Sequence, residues 1–311
     1  MLTIAKIRDA ENNIKPHVIE TPLVYSDSLS KKTNHNVYLK LESQQYTSSF
    51  KPRPAFNSIL TNLKDAKEKG VLTSSSGNFA QAVAFASQKL GVSVQIVMMR
   101  AASHYKKTRT KSFGAHIIEC GNSFEERVQT LKRAHEETDR VLLHQYDTYE
   151  TMAGDATVAT EILRQFSEDF AVICCTSGGG LTAGVGFATK ELRPTCKVYG
   201  VLPHTHAWPI QNSENPNTEP TIADALVPAK AGNHTYPIVQ KYVDDMTYAT
   251  NPEIREAMRA LCFEQRLMVE PGGAASVAAL LANKFSNLNS NVICIISGAN
   301  IDFPDFVKLI S

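Results

Sequence analysis

The sequence predicts an α/β fold built around mostly parallel sheets, and two observations support this. First, short apolar runs such as 92–99 (VSVQIVMM), 170–176 (FAVICCT) and 292–296 (VICII) alternate with segments of helical length. This alternation is typical of helices layered on a parallel sheet. Second, the 311 residues exceed one domain of about 150 residues, so two α/β domains are expected.

The elements follow in order along the chain. Gly70 and Gly91 end the predicted helices 55–69 and 77–90, because glycine readily adopts the left-handed conformation at a helix end. A polar stretch at 211–221 (QNSENPNTEPT) predicts a loop. The other predicted helices are 108–113, 124–138 and 155–166. The other predicted strands are 37–41, 116–119, 141–144 and 198–202.

Composition argues against nucleic-acid and membrane partners. The formal net charge is +1, with 43% hydrophobic and 20% charged residues, so no global field attracts nucleic acid or an anionic bilayer. No run reaches the roughly 18 apolar residues that span a bilayer. The basic cluster of Lys106, Lys107, Arg109 and Lys111 is interpreted as a solvated helix face.

Cysteine usage and the N-terminus predict a cytoplasmic protein. The six cysteines form no Cys-x-x-Cys pair, so no secretory disulfide framework is implied and a reducing compartment fits. Cys174, Cys175 and Cys294 lie in apolar runs and are predicted to be small core residues. The N-terminus lacks the continuous apolar core of a signal peptide.

A lysine next to an aromatic residue is a candidate nucleophile. Lys51 lies in the segment SFKPRP, where Pro52 and Pro54 fix φ and limit where a helix can begin. Burial there would lower the pKa of the amine and free it for Schiff-base chemistry. A surface lysine ahead of a helix is the simpler interpretation of this motif alone.

Two further motifs are candidate anion sites. The segment 73–81 (TSSSGNFAQ) places small hydroxyl residues before a helix, whose free N–H groups suit a substrate carboxylate. Ordinary serine capping is the alternative. The segment 176–184 (TSGGGLTAG) follows an apolar strand, and its glycines let the backbone approach a phosphate closely. It matches neither the Walker A loop nor the dinucleotide fingerprint, and a tight turn is the alternative.

Two polar residues complete the set of candidates. Ser297 ends an apolar strand, at the edge where open α/β sheets bind ligands. Its hydroxyl suits a hydrogen bond to a heterocycle nitrogen, although a polar turn explains it as well. Glu270 lies at a predicted helix start, where helix capping and a role in the site are both open.

Together these motifs, in this order, resemble the fold-type II family of pyridoxal-phosphate enzymes, in particular its threonine/serine dehydratase and serine racemase branch. The matching segments are ETPL (20–23), LKLE (39–42), SFK (49–51), SGNFAQA (76–82), SGGG (177–180), EP (270–271) and SGAN (297–300). The resemblance implies two open, twisted α/β domains, like those of the tryptophan synthase β subunit, with the cofactor in the cleft. It implies a large domain of residues 1–43 plus 140–311, a small domain of residues 44–139, and a homodimer.

The resemblance also implies a role for each matched residue. Lys51 would hold pyridoxal 5′-phosphate as a Schiff base and act as a base on one face, while Ser76 would protonate the opposite face. Phe50 would pack near the ring and Asn78 would bind its phenolic oxygen. Ser297 would bind the pyridine nitrogen, and Glu270 would belong to the cofactor site. The cofactor phosphate would be bound by Ser177, Gly178, Gly179, Gly180 and Leu181. The substrate carboxylate would be bound by Ser75, Ser76, Gly77 and Asn78.

Three positions depart from the family pattern. Pro54 replaces a glycine, Phe79 replaces a histidine, and Leu202 replaces a glutamate that binds a divalent cation in this branch. Leucine cannot bind a hard cation, so no metal site is expected there. Trp208 stands near the second ligand position, and the neighbouring His204 and His206 are interpreted as an exposed loop pair.

The resemblance implies an ammonia-lyase, or dehydratase, that converts L-threonine, L-serine or a related β-hydroxy amino acid to a 2-oxo acid and ammonia. A serine at the pyridine nitrogen leaves that nitrogen neutral, which favours prompt loss of a β leaving group. Ser76 keeps a racemase open, and β-replacement is a weaker alternative. A pyridoxal-phosphate-binding protein without turnover is the alternative from another class, motivated by Pro54, Phe79 and Leu202.

Overall fold

The computed structural model describes residues 1–205, 219–227 and 231–311, which form two sheets flanked by helices. The strands are β1 (Leu23–Tyr25), β2 (Asn36–Lys40), β3 (Val71–Ser74), β4 (Val94–Met99), β5 (His116–Cys120), β6 (Val141–Leu143), β7 (Ala171–Cys175), β8 (Lys197–Pro203), β9 (Asp245–Ala249) and β10 (Asn291–Ile295). The helices are α1 (Ile4–Ile14), α2 (Asp27–Thr33), α3 (Pro52–Thr61), α4 (Leu63–Lys69), α5 (Asn78–Leu90), α6 (His104–Ser112), α7 (Phe124–Thr138), α8 (Tyr149–Gln165), α9 (Gly180–Leu192), α10 (Thr235–Tyr242), α11 (Asn251–Gln265), α12 (Pro271–Leu281) and α13 (Phe303–Ile310).

The two sheets confirm the predicted α/β fold. Within the described residues the larger sheet has the strand order β1-β2-β10-β7-β8-β9, and the smaller has the order β5-β4-β3-β6. Among the strands that the structure describes, β1 alone runs antiparallel to its neighbour. Parallel strands bring their carboxyl ends to one edge, so the loops that follow β3, β7 and β10 can contribute to one site.

The hydrophobic core is largest around the six-stranded sheet. Strands β7 and β10 are buried at every residue, as expected for parallel strands covered on both faces. Cys174, Cys175 and Cys294 are buried in these strands, which confirms their prediction as core residues. Among the described residues, none of the helices combines the length and apolar character that crossing a bilayer requires.

The smaller sheet extends slightly beyond the range expected for a small domain. Strand β6 (141–143) pairs with β3, although the expected boundary falls at residue 139. The division into residues 1–43 plus 140–311 and residues 44–139 remains a prediction, and this pairing favours a boundary a few residues later.

Three predicted elements need correction. The single helix predicted at 55–69 is divided at Asn62, whose φ of −116° and ψ of 28° interrupt the helix between α3 and α4. The helix predicted at 155–166 begins at Tyr149, because the Thr148 side chain accepts a hydrogen bond from the Thr151 N–H and caps it. Helix α6 likewise begins before residue 108, at His104, where Ser103 caps it.

The histidine interpretation is also corrected, in part. His204 is fully buried rather than exposed, because it directly follows the buried strand β8. Its Nε2 donates to the backbone oxygen of Glu219 at 2.8 Å. His206, Trp208 and most of the predicted loop 211–221 lie outside the described residues.

A buried ionic network joins the start of α3 to α8 and to the segment after β2. The Arg53 guanidinium is fully buried and donates to both carboxylate oxygens of Glu42, at 2.8 Å each. It also donates to both oxygens of Glu161, at 2.6 and 2.7 Å. The Lys40 amine donates to Glu161 at 2.7 Å and to the backbone oxygen of Thr21 at 2.7 Å. Two cations and two carboxylates therefore balance inside the core.

The electrostatics of this network follow from its geometry. Burial alone would raise the pKa of Glu42, but the adjacent Arg53 guanidinium outweighs burial and holds that pKa below its usual range. The pairing offsets the large cost of removing four charges from water. The network contributes mainly by fixing how the start of α3 meets α8.

Close backbone packing accompanies the network. A β-carbon on Gly154 of α8 would lie 2.6 Å from the α-carbon of Pro54, so only glycine allows this approach. Pro54 itself lies in the first turn of α3, where a backbone N–H has no partner within the helix. The departure at Pro54 therefore removes no hydrogen bond from the helix.

Replacement of Arg53 tests the network. Arg53→Met should lower the free energy of unfolding by about 3–5 kcal/mol, because it leaves the Glu42 and Glu161 carboxylates buried without their main partner. Urea unfolding measures the change. Arg164→Met is the matched control, since Arg164 is half exposed and pairs with Glu11 at the surface, where about 1 kcal/mol or less is expected. Equal effects of the two changes would contradict this account.

Candidate active site

A cavity of about 530 Å³ is lined by residues that follow strands of both sheets. The structure brings every predicted site residue to its wall: Phe50, Lys51, Ser75, Ser76, Gly77, Asn78, Ser177, Gly178, Gly179, Gly180, Leu181, Glu270 and Ser297. Two segments far apart on the chain are joined beside the cavity, because an antiparallel bridge pairs Ser49 with Gly298. The predicted site is therefore one physical site, while the role of each residue remains a proposal.

Lys51 lies at the entrance to α3, two residues before the buried Arg53. Its Nζ donates to the backbone oxygen of Gln145 at 3.1 Å and lies 4.4 Å from the centre of the Phe50 ring. Burial lowers the pKa of Lys51, and the charge of Asp155 opposes this only in part. A lowered pKa increases the fraction of neutral, nucleophilic amine near neutral pH.

A second lysine, Lys106, also lines the cavity but has the opposite electrostatics. Its Nζ donates to Asp224 Oδ2 at 2.5 Å. Burial alone would lower the pKa of Lys106, but the carboxylates of Asp224 and Glu270 outweigh burial and raise it. Lys106 is therefore held as an ammonium, and Lys51 is the lysine better suited to act as a nucleophile.

The position of Lys106 corrects the interpretation of the basic cluster as a solvated face. Lys106 is 6% exposed, and together with the buried Thr110 it forms the inward side of α6. Lys111 on the same helix is exposed, as expected. Residues four apart, such as Lys106 and Thr110, lie on one face of a helix. Because both are polar, the sequence did not indicate that this face points inward.

The glycine loop after β7 forms a narrow cradle at the start of α9. A β-carbon on Gly178 would lie 2.4 Å from the Tyr146 ring, and one on Gly180 would lie 2.8 Å from Asp155 Oδ2. Gly179 has a φ of 97°, which favours glycine. No side chain caps the first turn of α9, so its N–H groups and helix dipole are available to an anion.

The start of α5 forms a second anion-binding wall. Gly77 precedes this helix of 13 residues, and no side chain caps it. Ser75 Oγ accepts from the Gly77 N–H at 3.3 Å, and Ser76 Oγ accepts from the Met99 N–H at 3.0 Å. The two hydroxyls are thereby fixed beside a helix N-terminus, where a carboxylate is favoured.

Asn78 is oriented by two partners. Its Nδ2 donates to Glu270 Oε1 at 2.5 Å, and its Oδ1 accepts from Asn300 Nδ2 at 2.9 Å. Glu270 Oε2 is buried and has no hydrogen-bond partner among the described residues. Burial raises the pKa of Glu270 to about 7, although Lys106 opposes the shift. Asn300 was missed as a member of the site, although it lies in the SGAN motif.

Ser297 closes the cavity on the side of the large sheet. Its Oγ donates to the backbone oxygen of Gly272 at 3.4 Å. It also interacts with Cys175, a thiol whose pKa burial raises to about 11, which leaves the thiol neutral. Phe79, one of the three departures, is buried on the wall beside Lys51, with the lysine Nζ 5.7 Å from its ring centre.

The residues present fit pyridoxal 5′-phosphate, the cofactor expected from the resemblance. The glycine cradle, where β-carbons on Gly178 and Gly180 would collide with Tyr146 and Asp155, suits the phosphate. The partly buried Lys51 amine with its lowered pKa suits the aldehyde, and the Ser297 hydroxyl suits a neutral ring nitrogen. Leu202, the third departure, is fully buried in β8 and offers no oxygen or nitrogen ligand to a cation.

The raised pKa of Glu270 predicts a pH-dependent stability. Between its unfolded pKa of 4.5 and its folded pKa of about 7, the unfolded chain ionises while the folded protein stays protonated, so stability falls as pH rises. Glu270→Gln removes this effect. The free energy of unfolding of the variant minus that of the unmodified protein should therefore rise by about 2–3 kcal/mol from pH 5 to pH 8. Urea unfolding of cofactor-free protein measures it, with the exposed Glu136→Gln as control. A gain that does not change with pH would contradict the assignment.

Comparison with known proteins agrees with this geometry. The family model for pyridoxal-phosphate dependent enzymes matches residues 14–298. An L-threonine ammonia-lyase from Thermotoga maritima is 36% identical over 316 residues, which cover 100% of this chain and 79% of that protein. A catabolic L-threonine dehydratase from Staphylococcus aureus is 35% identical over 311 residues, which cover 97% of this chain and 90% of that protein. The structure of maize serine racemase matches with a TM-score of 0.92 and 34% identity, over 99% of this chain and 96% of that chain. The predicted resemblance and fold type are thus confirmed, and the chain belongs to the family of pyridoxal-phosphate dependent enzymes.

Proposed function

We propose that this protein is an ammonia-lyase that converts L-threonine, L-serine or a related β-hydroxy amino acid to a 2-oxo acid and ammonia. The observation that carries the proposal is the position of Lys51: a lysine of lowered pKa lies in one cavity with an anion cradle and a second helix N-terminus. Two relatives that match nearly all of this chain are named for action on L-threonine.

Lys51 does the proton chemistry in this proposal. When bound, pyridoxal phosphate supplies an electron sink that makes the Cα–H of an amino acid acidic. The Lys51 amine, neutral at a lower pH than an ordinary lysine, accepts the Cα proton at Nζ. The wall formed by Phe50 and Phe79 limits water around that amine.

Two helix N-termini orient the reactants. The uncapped start of α9 binds the cofactor phosphate through Ser177, Gly178, Gly179, Gly180 and Leu181. The uncapped start of α5 binds the substrate carboxylate with Ser75, Ser76, Gly77 and Asn78. The Ser297 hydroxyl would donate one hydrogen bond to a neutral ring nitrogen without adding charge, which favours elimination over a long-lived carbanion.

A racemase is the second candidate. Ser76 lines the same cavity as Lys51, and its hydroxyl can donate a proton to the opposite face of a bound amino acid. Maize serine racemase matches over nearly the whole chain. The two activities share the removal of the Cα proton by Lys51 and differ in whether the β-hydroxyl leaves before a proton returns.

We also propose a homodimer located in the cytoplasm. The free thiols of the six cysteines suit a reducing compartment. The proposal of a dimer rests on the family resemblance alone. Light scattering of the purified protein tests it, since two chains of 34.2 kDa should give a mass of about 68 kDa.

Release of 2-oxo acid tests the proposed reaction. The purified protein with pyridoxal phosphate should release 2-oxo acid from L-threonine or L-serine, and Lys51→Ala should lower the rate at least about 1000-fold because it removes the base and the attachment point. Lys111→Ala, which changes an exposed lysine of α6, is the matched control and should leave the rate unchanged. The D isomers and 3-hydroxyaspartate complete the substrate set.

The outcomes separate the candidates. Exchange of L- and D-serine without 2-oxo acid, seen by chiral chromatography, would replace the lyase with the racemase. Bound cofactor without either reaction would leave β-replacement chemistry or a binding protein without turnover.

A further inference from the structure

One buried acidic group next to the site has no role in the reaction proposed above. Asp155 of α8 is fully buried, and neither of its carboxyl oxygens has a hydrogen-bond partner among the described residues. A buried carboxyl without partners is costly, so its position calls for an explanation.

Asp155 lies directly behind the glycine cradle. Its Oδ2 is 2.8 Å from the point where a β-carbon on Gly180 would stand, and Gly180 is the first residue of α9. The adjacent Gly154 packs against the backbone of Arg53 and Pro54, so the same turn of α8 also touches the segment that carries Lys51. The turn of α8 that carries Asp155 therefore contacts both the glycine loop and the segment that carries Lys51.

The nearby charges do not bond to Asp155. The Arg53 guanidinium donates to Glu42 and Glu161, and the Lys51 amine donates to the backbone oxygen of Gln145. Burial raises the pKa of Asp155 to about 7, with Lys51 and Arg53 opposing the shift and Glu42 adding to it. The carboxyl can thus change charge near neutral pH.

We propose that Asp155 is a positioning residue whose protonation controls how tightly the glycine loop holds the cofactor phosphate. This inference rests on the phosphate placement proposed above. An ionised Asp155 would place a negative charge behind the loop that faces the phosphate, and two like charges repel strongly where water is excluded. A protonated Asp155 removes that repulsion.

Four groups around the site keep their charge between pH 6 and pH 9. Arg53 stays cationic and Glu42 stays anionic, because their pairing raises one pKa and lowers the other. Burial raises the pKa of Tyr146, and it raises that of Cys175 to about 11, so both stay neutral. Burial lowers the pKa of the remaining neighbour, Lys51, so its contribution needs a control of its own.

The sign of the pH effect follows from linkage. Bound phosphate raises the pKa of Asp155 further, so the complex holds the proton more strongly than the free site. Cofactor affinity should therefore be highest below about pH 7 and should fall as Asp155 ionises. Asp155→Asn keeps the shape of the side chain and removes the charge, so it should lack this loss.

The test is equilibrium dialysis of the holoenzyme against pyridoxal phosphate from pH 6 to pH 9, for the unmodified protein and Asp155→Asn. The ratio of their dissociation constants cancels the titration of the phosphate itself and of Glu270, which both proteins share. The dissociation constant of the unmodified protein divided by that of the variant should rise about tenfold across this range. This rise is expected if bound phosphate raises the pKa of Asp155 by about one unit. A ratio that stays constant with pH would overturn the inference.

Unphosphorylated pyridoxal separates phosphate control from an effect through Lys51. Pyridoxal has the same aldehyde but no phosphate, so its ratio should stay within about twofold across the pH range. An equal rise for both ligands would show that Asp155 acts on Lys51, and it would overturn the phosphate assignment. Should Asp155→Asn fail to fold, Asp155→Ser removes the same charge and gives the same comparison.

Binding is the readout, so the result does not depend on turnover. Absence of 2-oxo acid release together with the expected pH-dependent ratio would contradict the proposed reaction and support the role of Asp155. Failure of the unmodified protein to bind pyridoxal phosphate at any pH would overturn the phosphate placement and this inference together.

Discussion

The double contact of Arg53 with Glu42 and Glu161 is the interaction on which the site depends. It joins the start of α3 to the segment after β2 and to α8, and it does so two residues from Lys51. A planar guanidinium that binds two carboxylates at once fixes orientation as well as distance. The lysine backbone is consequently held against the rigid core, while its amine reaches the cavity.

The rest of the site follows from strands that end at common edges. The loops after β3, β7 and β10 supply the hydroxyl residues, the glycine cradle and Ser297, and two uncapped helix N-termini face the cavity. The site thus combines positive potential for anions with one lysine of lowered pKa. A second lysine on the described part of the wall, Lys106, keeps its proton because nearby carboxylates raise its pKa, so the two lysines differ in chemistry.

The sequence was sufficient to predict the fold class and a set of residues that line one cavity, because each motif couples a strand end to a specific backbone or side-chain requirement. It was not sufficient to predict which charged residues are buried together. Lys40, Glu42 and Arg53 are ordinary charged residues until the fold places them together, and pairing at a distance leaves no periodic signal. Asp155 and Lys106 were missed for the same reason, since burial of a polar residue depends on elements far apart in the chain. The break at Asn62 lay within a helical pattern that gave no warning of it.

The central claim is that Lys51, rather than Lys106, provides the reactive amine. Treatment of the holoenzyme with borohydride fixes the cofactor to its lysine as a stable secondary amine, and mass spectrometry of the resulting peptides identifies that lysine. The structure predicts the label on Lys51, because burial lowers the pKa of its amine, whereas nearby carboxylates raise the pKa of Lys106. A label on Lys106 would contradict the account.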